Sequence, residues 1–184
     1  MPLDPNEITV VPDDLVRDPI AWFAAHHVRC RRVCQLIDDL AGSSGFEEAA
    51  IRFVLTYLAE EAPRHLADEE EHLFPAIRRS CEAEDEVNPV LVRLLNEHRE
   101  DSVSSEAVSH CLRAALDTGA AVSRTPGATS VLHAYAMNER AHLALENAVV
   151  LPFARLRLST AEMNAVSDGI ALSRGLEAPT RLAS

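Results

Sequence analysis

Apolar side chains recur at alternating steps of three and four residues near the start of the chain, which is the spacing of one face of an α-helix. This stripe runs from Ile20 to Ala41, carries no charged residue and contains a single histidine, His27. Asp18 followed by Pro19 is typical of an N-cap and a first helical position. The sequence GSSG after the stripe is typical of a helix end. We therefore predict a first long helix between these two signals.

The same kind of pattern predicts three further long helices. A second helix should run from about residue 46 to about residue 81. Pro63 lies inside it and is expected to kink or split it, because proline cannot donate the helical hydrogen bond. A third helix is expected over 89–118, with Asn88 as its cap, and a fourth over 130–156.

Together these elements predict an all-α fold, an up-down-up-down antiparallel four-helix bundle. Residues 1–17 are expected to form an irregular N-terminal arm and residues 18–157 the bundle. The last segment, 158–184, should hold a short helix and a loose tail. The sequence STAE at 159–162 is a capping-box pattern that indicates the start of this short helix.

Composition and charge exclude several classes of function. Hydrophobic residues make up 47% of the 184 residues, enough for one domain with a substantial core. The formal net charge of −12 would repel nucleic acid and anionic membranes, so neither is expected as a partner. The four cysteines follow a start, MPLDPNEITVVPDD, that lacks the features of a secretory leader. We therefore expect reduced thiols and a soluble, cytoplasmic protein.

One motif occurs twice in the predicted helices. HLADEEEHLFP begins at His65, has Glu69 four residues later and ends in a proline ten residues after the histidine. HLALENAVVLP repeats this spacing with His142, Glu146 and a proline. Side chains four residues apart lie on the same helix face, so each histidine and its glutamate should point in one direction, along an otherwise apolar stripe.

Histidines on the other two helices complete a set of metal-ligand side chains. The first and third helices each supply one histidine on the inner face. The six candidate metal ligands are His27, His65, Glu69, His98, His142 and Glu146. Two buried carboxylates would repel each other and lose their hydration unless cations lay between them. We predict two metal ions with bridging glutamates and terminal imidazoles; the mixed donor set suits iron, with zinc or manganese as substitutes.

Three neighbouring residues leave alternatives open. His26 could take the place of His27, although it is shifted by about 100° from the apolar stripe. His72 lies seven residues after His65 and could supplement the ligands or be a half-buried histidine. Tyr135 could hydrogen-bond a metal-bound group or simply be a core aromatic residue.

The chain resembles the hemerythrin-like (HHE cation-binding) domains. The matching segments are AHHVRCRRVC on the first helix, HLADEEEHLFP on the second, NEH on the third and HLALENAVVLP on the fourth. The resemblance covers residues 18–157. It implies an up-down-up-down bundle with a non-haem di-iron site, held by the six candidate ligands.

Two positions depart from the oxygen-carrying hemerythrins. Those proteins have a second histidine four residues after the one on the third helix, where this chain has Ser102. They also place the bridging acid five residues after the fourth-helix histidine, where this chain has Asn147 and the acid, Glu146, stands one residue earlier. These two departures imply that one iron lacks a strong ligand and has an open position instead. We expect binding of O2, nitric oxide or peroxide in redox, oxygen or iron sensing or handling, with weak peroxidase or oxidase activity as a hypothesis.

Two other classes of protein compete with this interpretation. A ferritin-like di-iron oxidase would use the Glu-x-x-His pairs Glu69/His72 and Glu139/His142, but it also needs a glutamate on the first helix. The first helix has no glutamate between residues 18 and 41. A metal-free or degenerate bundle with a regulatory or interaction role is the alternative that composition leaves open; its protein partner is not indicated.

Overall fold

The computed structural model describes residues 3–177 and consists, over that range, of helices without strands. We number the five main helices in chain order. Helix α1 spans Pro19–Gly42. Helix α2 covers 48–80 in three α-helical segments, Glu48–Thr56, Ala62–Asp68 and Phe74–Ser80. Helix α3 spans Val87–Thr118. Helix α4 covers 128–157 as Ala128–Leu145 and Leu151–Arg157, and α5 spans Thr160–Arg174.

The all-α prediction is confirmed, and most helix ends lie close to their predicted places. Asp18 caps α1 by accepting hydrogen bonds from the backbone N–H groups of Ile20 and Ala21. Ser159 and Glu162 form the predicted capping box of α5. The predicted cap of α3 is wrong: Asn88 lies inside the helix, and Glu86 precedes the helix with a left-handed φ of 51°. The up-down-up-down order of the helices stays a prediction.

Helices α2 and α4 continue through their prolines by forming π turns. The π turns span Tyr57–Glu61 and Glu69–Leu73 in α2 and Glu146–Val150 in α4. In each, the residue just before the proline donates its N–H to the carbonyl five residues back, on Tyr57, Glu69 or Glu146. The wider coil accommodates the proline ring, which would clash with the preceding turn of an α-helix. We expected Pro63 to kink or split the second helix. It does not split α2.

The apolar core is divided into two clusters, and the candidate site lies between them. On α1, Phe23 belongs to one cluster and Cys30 to the other, with His27 between them. On α2, Leu58 and Leu73 belong to different clusters in the same way, with His65 between them. A polar layer thus crosses the bundle interior and is shielded from water above and below.

The N-terminal arm is more regular than expected. It contains two short 3-10 helices, Pro5–Glu7 and Asp13–Arg17. Arg29 of α1 donates hydrogen bonds to the carbonyls of Ile8 and Thr9. These bonds hold the arm against the bundle.

Helix α5 is tied to the bundle by a buried ion pair. Arg174 donates to Asp68 of α2, with Nη2 at 2.6 Å from Oδ2. Trp22 of α1 donates its indole N–H to the same carboxylate at 3.2 Å. The loose tail predicted after α5 falls mainly on residues 178–184, which lie outside the described residues. Among residues 3–177, none of the helices is both long and apolar enough to cross a bilayer.

Candidate metal centre

Four helices place the six predicted ligands in one buried layer. His27 comes from α1, His98 from α3, and the two His/Glu pairs come from α2 and α4. Every one of the six residues is at most 6% exposed to solvent. Each glutamate is the first residue of a π turn, so its side chain and the widened backbone belong to the same local feature.

The six side chains form two groups that share both carboxylates. His27, His65, Glu69 and Glu146 each offer a ligand atom within 4.8 Å of the others. Glu69, His98, His142 and Glu146 form the second group by the same measure. Each group therefore combines two imidazoles of its own with the same pair of glutamates.

Distances within these groups match those between neighbouring ligands of one cation. His27 Nε2 lies 3.4 Å from Glu69 Oε1 and 3.4 Å from Glu146 Oε2. His98 Nε2 lies 3.5 Å from Glu69 Oε2, and His142 Nε2 lies 3.3 Å from Glu146 Oε1. Two donor atoms at about 2.1 Å from an ion lie roughly 3.0 Å apart at a right angle and roughly 3.4 Å apart at a tetrahedral angle.

Two of the histidines are oriented by carboxylates behind them. His98 Nδ1 lies 2.7 Å from Glu70 Oε1, and His142 Nδ1 lies 2.9 Å from Glu97 Oε2. A carboxylate only accepts, so each Nδ1 carries a proton and each ring turns its Nε2 inward. The two Nε2 atoms are only 3.1 Å apart. Because the pKa of His142 is raised to about 9, its Nε2 can donate to Nε2 of His98 across this gap in the metal-free protein, whereas bound cations would face both lone pairs.

Several polar atoms in this layer have no hydrogen-bond partner. They are both carboxylate oxygens of Glu146, Oε2 of Glu69, and both ring nitrogens of His65. Leaving buried polar atoms unsatisfied costs about 1–3 kcal/mol each, and more for charged groups. Their convergence is the observation that fits a bound cation, because a metal ion would satisfy them together.

Burial and mutual charge govern the protonation of the centre. Burial, followed by the charge of Glu146, raises the pKa of Glu69 well above its usual value. Burial alone would raise the pKa of Glu146 too, but the close imidazole of His142 and its charge lower it. Burial lowers the pKa of His142, yet the carboxylates of Glu146 and Glu97 outweigh this effect and raise it to about 9. Burial lowers the pKa of His27, His65 and His98.

The structure places the three residues whose roles the sequence left open. His26 is in neither ligand group; its ring stacks on that of His65 at 5.3 Å between centroids. His72 is also outside both groups and lies against Gly169 of α5, where a Cβ atom would come within 2.6 Å of its Nδ1. Tyr135 is buried in the apolar cluster that contains Cys30.

Family comparison agrees with this geometry. The sequence model of the Hemerythrin HHE cation binding domain matches residues 18–154, three quarters of the chain.

The chain belongs to the hemerythrin HHE cation-binding family.

A search of curated proteins finds no match. With its family established, the buried His/Glu cluster of this HHE domain is a metal cation site.

The two positions that depart from oxygen-carrying hemerythrins lie beside the cluster of this HHE domain. Ser102 is exposed and donates its hydroxyl to the carbonyl of His98 at 3.3 Å, so its side chain turns back onto its own helix. Asn147 lies next to the site, with its amide nitrogen 3.0 Å from Nδ1 of His27. Asn147 therefore contacts a ligand-type histidine from behind.

Sequence reasoning did not find the groups that orient the histidines. Glu70 and Glu97 each stand next to a candidate ligand in the sequence, but neither lies on an apolar stripe. The one available signal was an acid adjacent in sequence to a ligand, and this chain is too rich in acids for that signal to be selective.

Proposed function

We propose that this HHE domain holds two iron ions, bridged by Glu69 and Glu146, and binds a small oxidant there. The observation that carries the proposal is the sharing of both carboxylates by two four-residue groups. His27 and His65 would hold one ion, and His98 and His142 the other. A bridging carboxylate offers one oxygen to each ion, which matches two groups that contain the same two glutamates.

The donor set supports iron. Each ion would receive two imidazole nitrogens and two carboxylate oxygens from the protein, and iron accepts such mixed sets. Four protein ligands leave two positions of an octahedron for water or an exogenous molecule. Zinc and manganese bind similar donors and would act as substitutes.

Open coordination positions favour the binding of O2, nitric oxide or peroxide, because these molecules bind directly to iron. When bound, the iron pair supplies exchangeable coordination positions and up to two electrons. The protein orients its imidazoles through Glu70 and Glu97 and keeps bulk water away by burying the six side chains. We infer a role in redox, oxygen or iron sensing or handling in the cytoplasm. The four free thiols of the structure are in keeping with a reducing compartment.

Metal content of purified variants tests the proposal. We expect two irons per chain in protein grown in iron-replete medium, measured by elemental analysis. Glu69→Gln and Glu146→Gln should each lose both ions, because each carboxylate serves both positions. His65→Ala and His142→Ala should each lose one.

A matched control separates these effects from the loss of any histidine. His110 is exposed on α3 and outside both groups, so His110→Ala should keep two irons. Purified wild-type protein that is colourless and metal-poor would overturn the proposal and favour a metal-free interaction bundle.

Weak peroxidase or oxidase activity belongs to the same proposal. Peroxide turnover by iron-loaded wild-type protein should exceed that of the double variant His65→Ala/His142→Ala. Equal rates would contradict the proposed enzymatic activity but not the proposed binding of a small oxidant.

A further inference from the structure

A small cavity lies beside the candidate metal centre. Its volume is about 70 Å³, and its wall includes His65, one of the proposed ligands. Exposed Pro63 and Ser102 also line it, so the cavity reaches the surface between α2 and α3. Its inner wall is formed by buried residues, among them Cys30 and Glu139.

Three polar residues in this wall come from three different helices. Each stands three residues along the chain from a proposed ligand. Cys30 is three residues after His27, and Asp101 is three residues after His98. Glu139 is three residues before His142. Residues three apart on a helix are neighbours on one face, so the cavity forms a second polar layer next to the metal layer.

Glu139 is a buried acid that no arginine among the described residues neutralises. It is 8% exposed, and no arginine among residues 3–177 forms an ion pair with it. Its carboxylate accepts a hydrogen bond from the Cys30 thiol at 3.3 Å. A carboxyl group in such surroundings is expensive to bury for packing alone, which indicates a functional role.

The surroundings of Glu139 favour its protonated form. The titratable groups around it are Cys30 from α1, Tyr57, His65 and Glu69 from α2, Asp101 from α3, and Tyr135, His142 and Glu146 from α4. Burial, and then the charge of Asp101, raises the pKa of Glu139 to about 7. In the metal-free protein, Glu139 therefore exchanges its proton near neutral pH.

Asp101 connects the cavity with a separate depression on the surface. The depression has a volume of about 290 Å³ and is lined by Asp101, Glu97, Glu100 and His142, among others. Asp101 thus lies in the walls of both spaces, one inside the bundle and one facing solvent. Burial raises the pKa of Asp101 to about 6. It is therefore placed to pass protons from solvent toward Glu139.

We infer that the cavity receives a two-oxygen molecule of the peroxide class, and that Glu139 protonates this molecule, with Asp101 returning the proton from solvent. This inference rests on the proposed function, because the iron ions must supply the electrons. The size of the cavity sets the class of ligand: water occupies about 30 Å³ in the liquid, so the space holds roughly two such molecules. Hydrogen peroxide fits, and a bulky alkyl hydroperoxide does not.

The reaction balances with the groups named. One hydrogen peroxide takes two electrons from two ferrous ions and two protons, its O–O bond breaks, and two waters form. Glu139 gives the first proton and is reprotonated through Asp101. It then gives the second by the same route.

Glu139→Gln tests the role of Glu139, because glutamine has the same shape but no acidic proton. We expect this variant to bind two irons as the wild type does. Oxidation of its ferrous form by hydrogen peroxide, followed by stopped-flow absorbance, should be slower by about 100-fold at neutral pH, the lower range for loss of an acid catalyst. Glu106→Gln, an exposed acid on α3, is the matched control and should keep the wild-type rate.

One readout does not depend on turnover. In metal-free wild-type protein, part of the infrared C=O stretch of protonated carboxyls should disappear as the pH rises through about 7, and this part should be missing from Glu139→Gln. A Glu139→Gln variant that loses iron, keeps the wild-type rate of iron oxidation or keeps this part of the infrared band would overturn the role of Glu139.

Ligand size tests the cavity without any change at Glu139. Wild-type protein should oxidise at least tenfold more slowly with tert-butyl hydroperoxide than with hydrogen peroxide. Leu66→Ala enlarges the cavity and should narrow this ratio. An unchanged ratio would overturn the cavity as the binding place. Failure of wild-type protein to bind iron would overturn the proposed function as well, whereas iron-loaded protein that fails only these tests refutes this inference alone.

Discussion

Glu69 and Glu139 carry carboxyl groups that the fold removes from water without an arginine beside either of them among the described residues. Burial raises the pKa of both groups. In the metal-free protein such groups reduce stability once they ionise, because the charged form is better hydrated in the unfolded chain. Single side chains therefore make the stability of this protein depend on pH.

The sign of this dependence is testable at Glu139. Its pKa rises from an ordinary 4.5 to about 7, so the folded chain binds more protons than the unfolded chain between these values. The contribution of Glu139 to the free energy of unfolding is fully present below about pH 4.5 and is lost as the pH rises through about 7. Glu139→Gln should not lose stability in this way, because glutamine does not ionise. Urea unfolding of metal-free protein should show the variant gaining about 2–3 kcal/mol on the wild type between about pH 5 and pH 8.

Glu106→Gln provides the comparison, since an exposed acid has no burial penalty to lose. Its free energy of unfolding should follow that of the wild type at both pH values. A Glu139→Gln variant with the same pH dependence as the wild type would show that this carboxyl is hydrated in the folded protein.

Helices α2 and α4 explain why the histidine, glutamate and proline spacing occurs twice. The glutamate begins a π turn, and the proline stands six residues after the glutamate, just beyond that turn. A third π turn has the same spacing, from Tyr57 to Pro63, without the histidine. The proline in the motif is therefore part of the backbone geometry, whereas the histidine and the glutamate serve the site.

Proline substitutions test this account of the helices. Pro152→Ala should change the free energy of unfolding by no more than about 1 kcal/mol, because the π turn already accommodates the ring. Ala144→Pro places a proline at an exposed position of the regular segment of α4 and should cost about 3 kcal/mol or more. Chemical denaturation measures both; similar losses would show that the π turn does not relieve the clash.

Across the whole molecule, α5 is held by groups that belong to the bundle. Asp68 is 2% exposed and accepts hydrogen bonds from Arg174 and from Trp22. The guanidinium of Arg174 also lies over the Trp22 ring, 5.5 Å from its centroid. One buried carboxylate thereby joins α1, α2 and α5 next to the metal layer.

Removing the arginine should destabilise the whole chain. Arg174→Met leaves the Asp68 carboxylate buried without its cation, which costs about 3 kcal/mol or more. Trp22 is the single tryptophan, so its fluorescence reports the unfolding transition. Arg113→Met, at an exposed position of α3, should stay within about 0.5 kcal/mol of the wild type. An equally small loss for Arg174→Met would show that α5 is not held by this pair.

Metal binding should stabilise the molecule as a unit, because four helices contribute to the site. At a free metal concentration one hundred times the dissociation constant, binding to one site adds about 2.7 kcal/mol to the free energy of unfolding. Thermal unfolding with added ferrous iron or zinc should therefore occur at higher temperature, and a chelator should reverse the change. The His65→Ala/His142→Ala variant should show no such shift.

Much of the site could be predicted because its residues obey a local rule. Pairs such as His65 and Glu69 share a helix face at any position in the fold, and the uncharged stripe of α1 selects His27 over His26. The groups behind the ligands obey no such rule. Glu70 reaches His98 across 28 residues of sequence and Glu97 reaches His142 across 45, so only the packing of helices brings them together.

The sequence by itself determined that the protein is helical, where most of its helices begin, and which six side chains are candidate metal ligands. These follow from hydrophobic periodicity, capping residues and spacing, all of which act within a few residues. The tertiary structure alone decided that two glutamates are shared by two ligand groups, that the prolines follow π turns, and that Asp101 and Glu139 line one cavity. Each of these depends on contacts or backbone adjustments that arise only when separate helices pack against one another and bury polar groups between them.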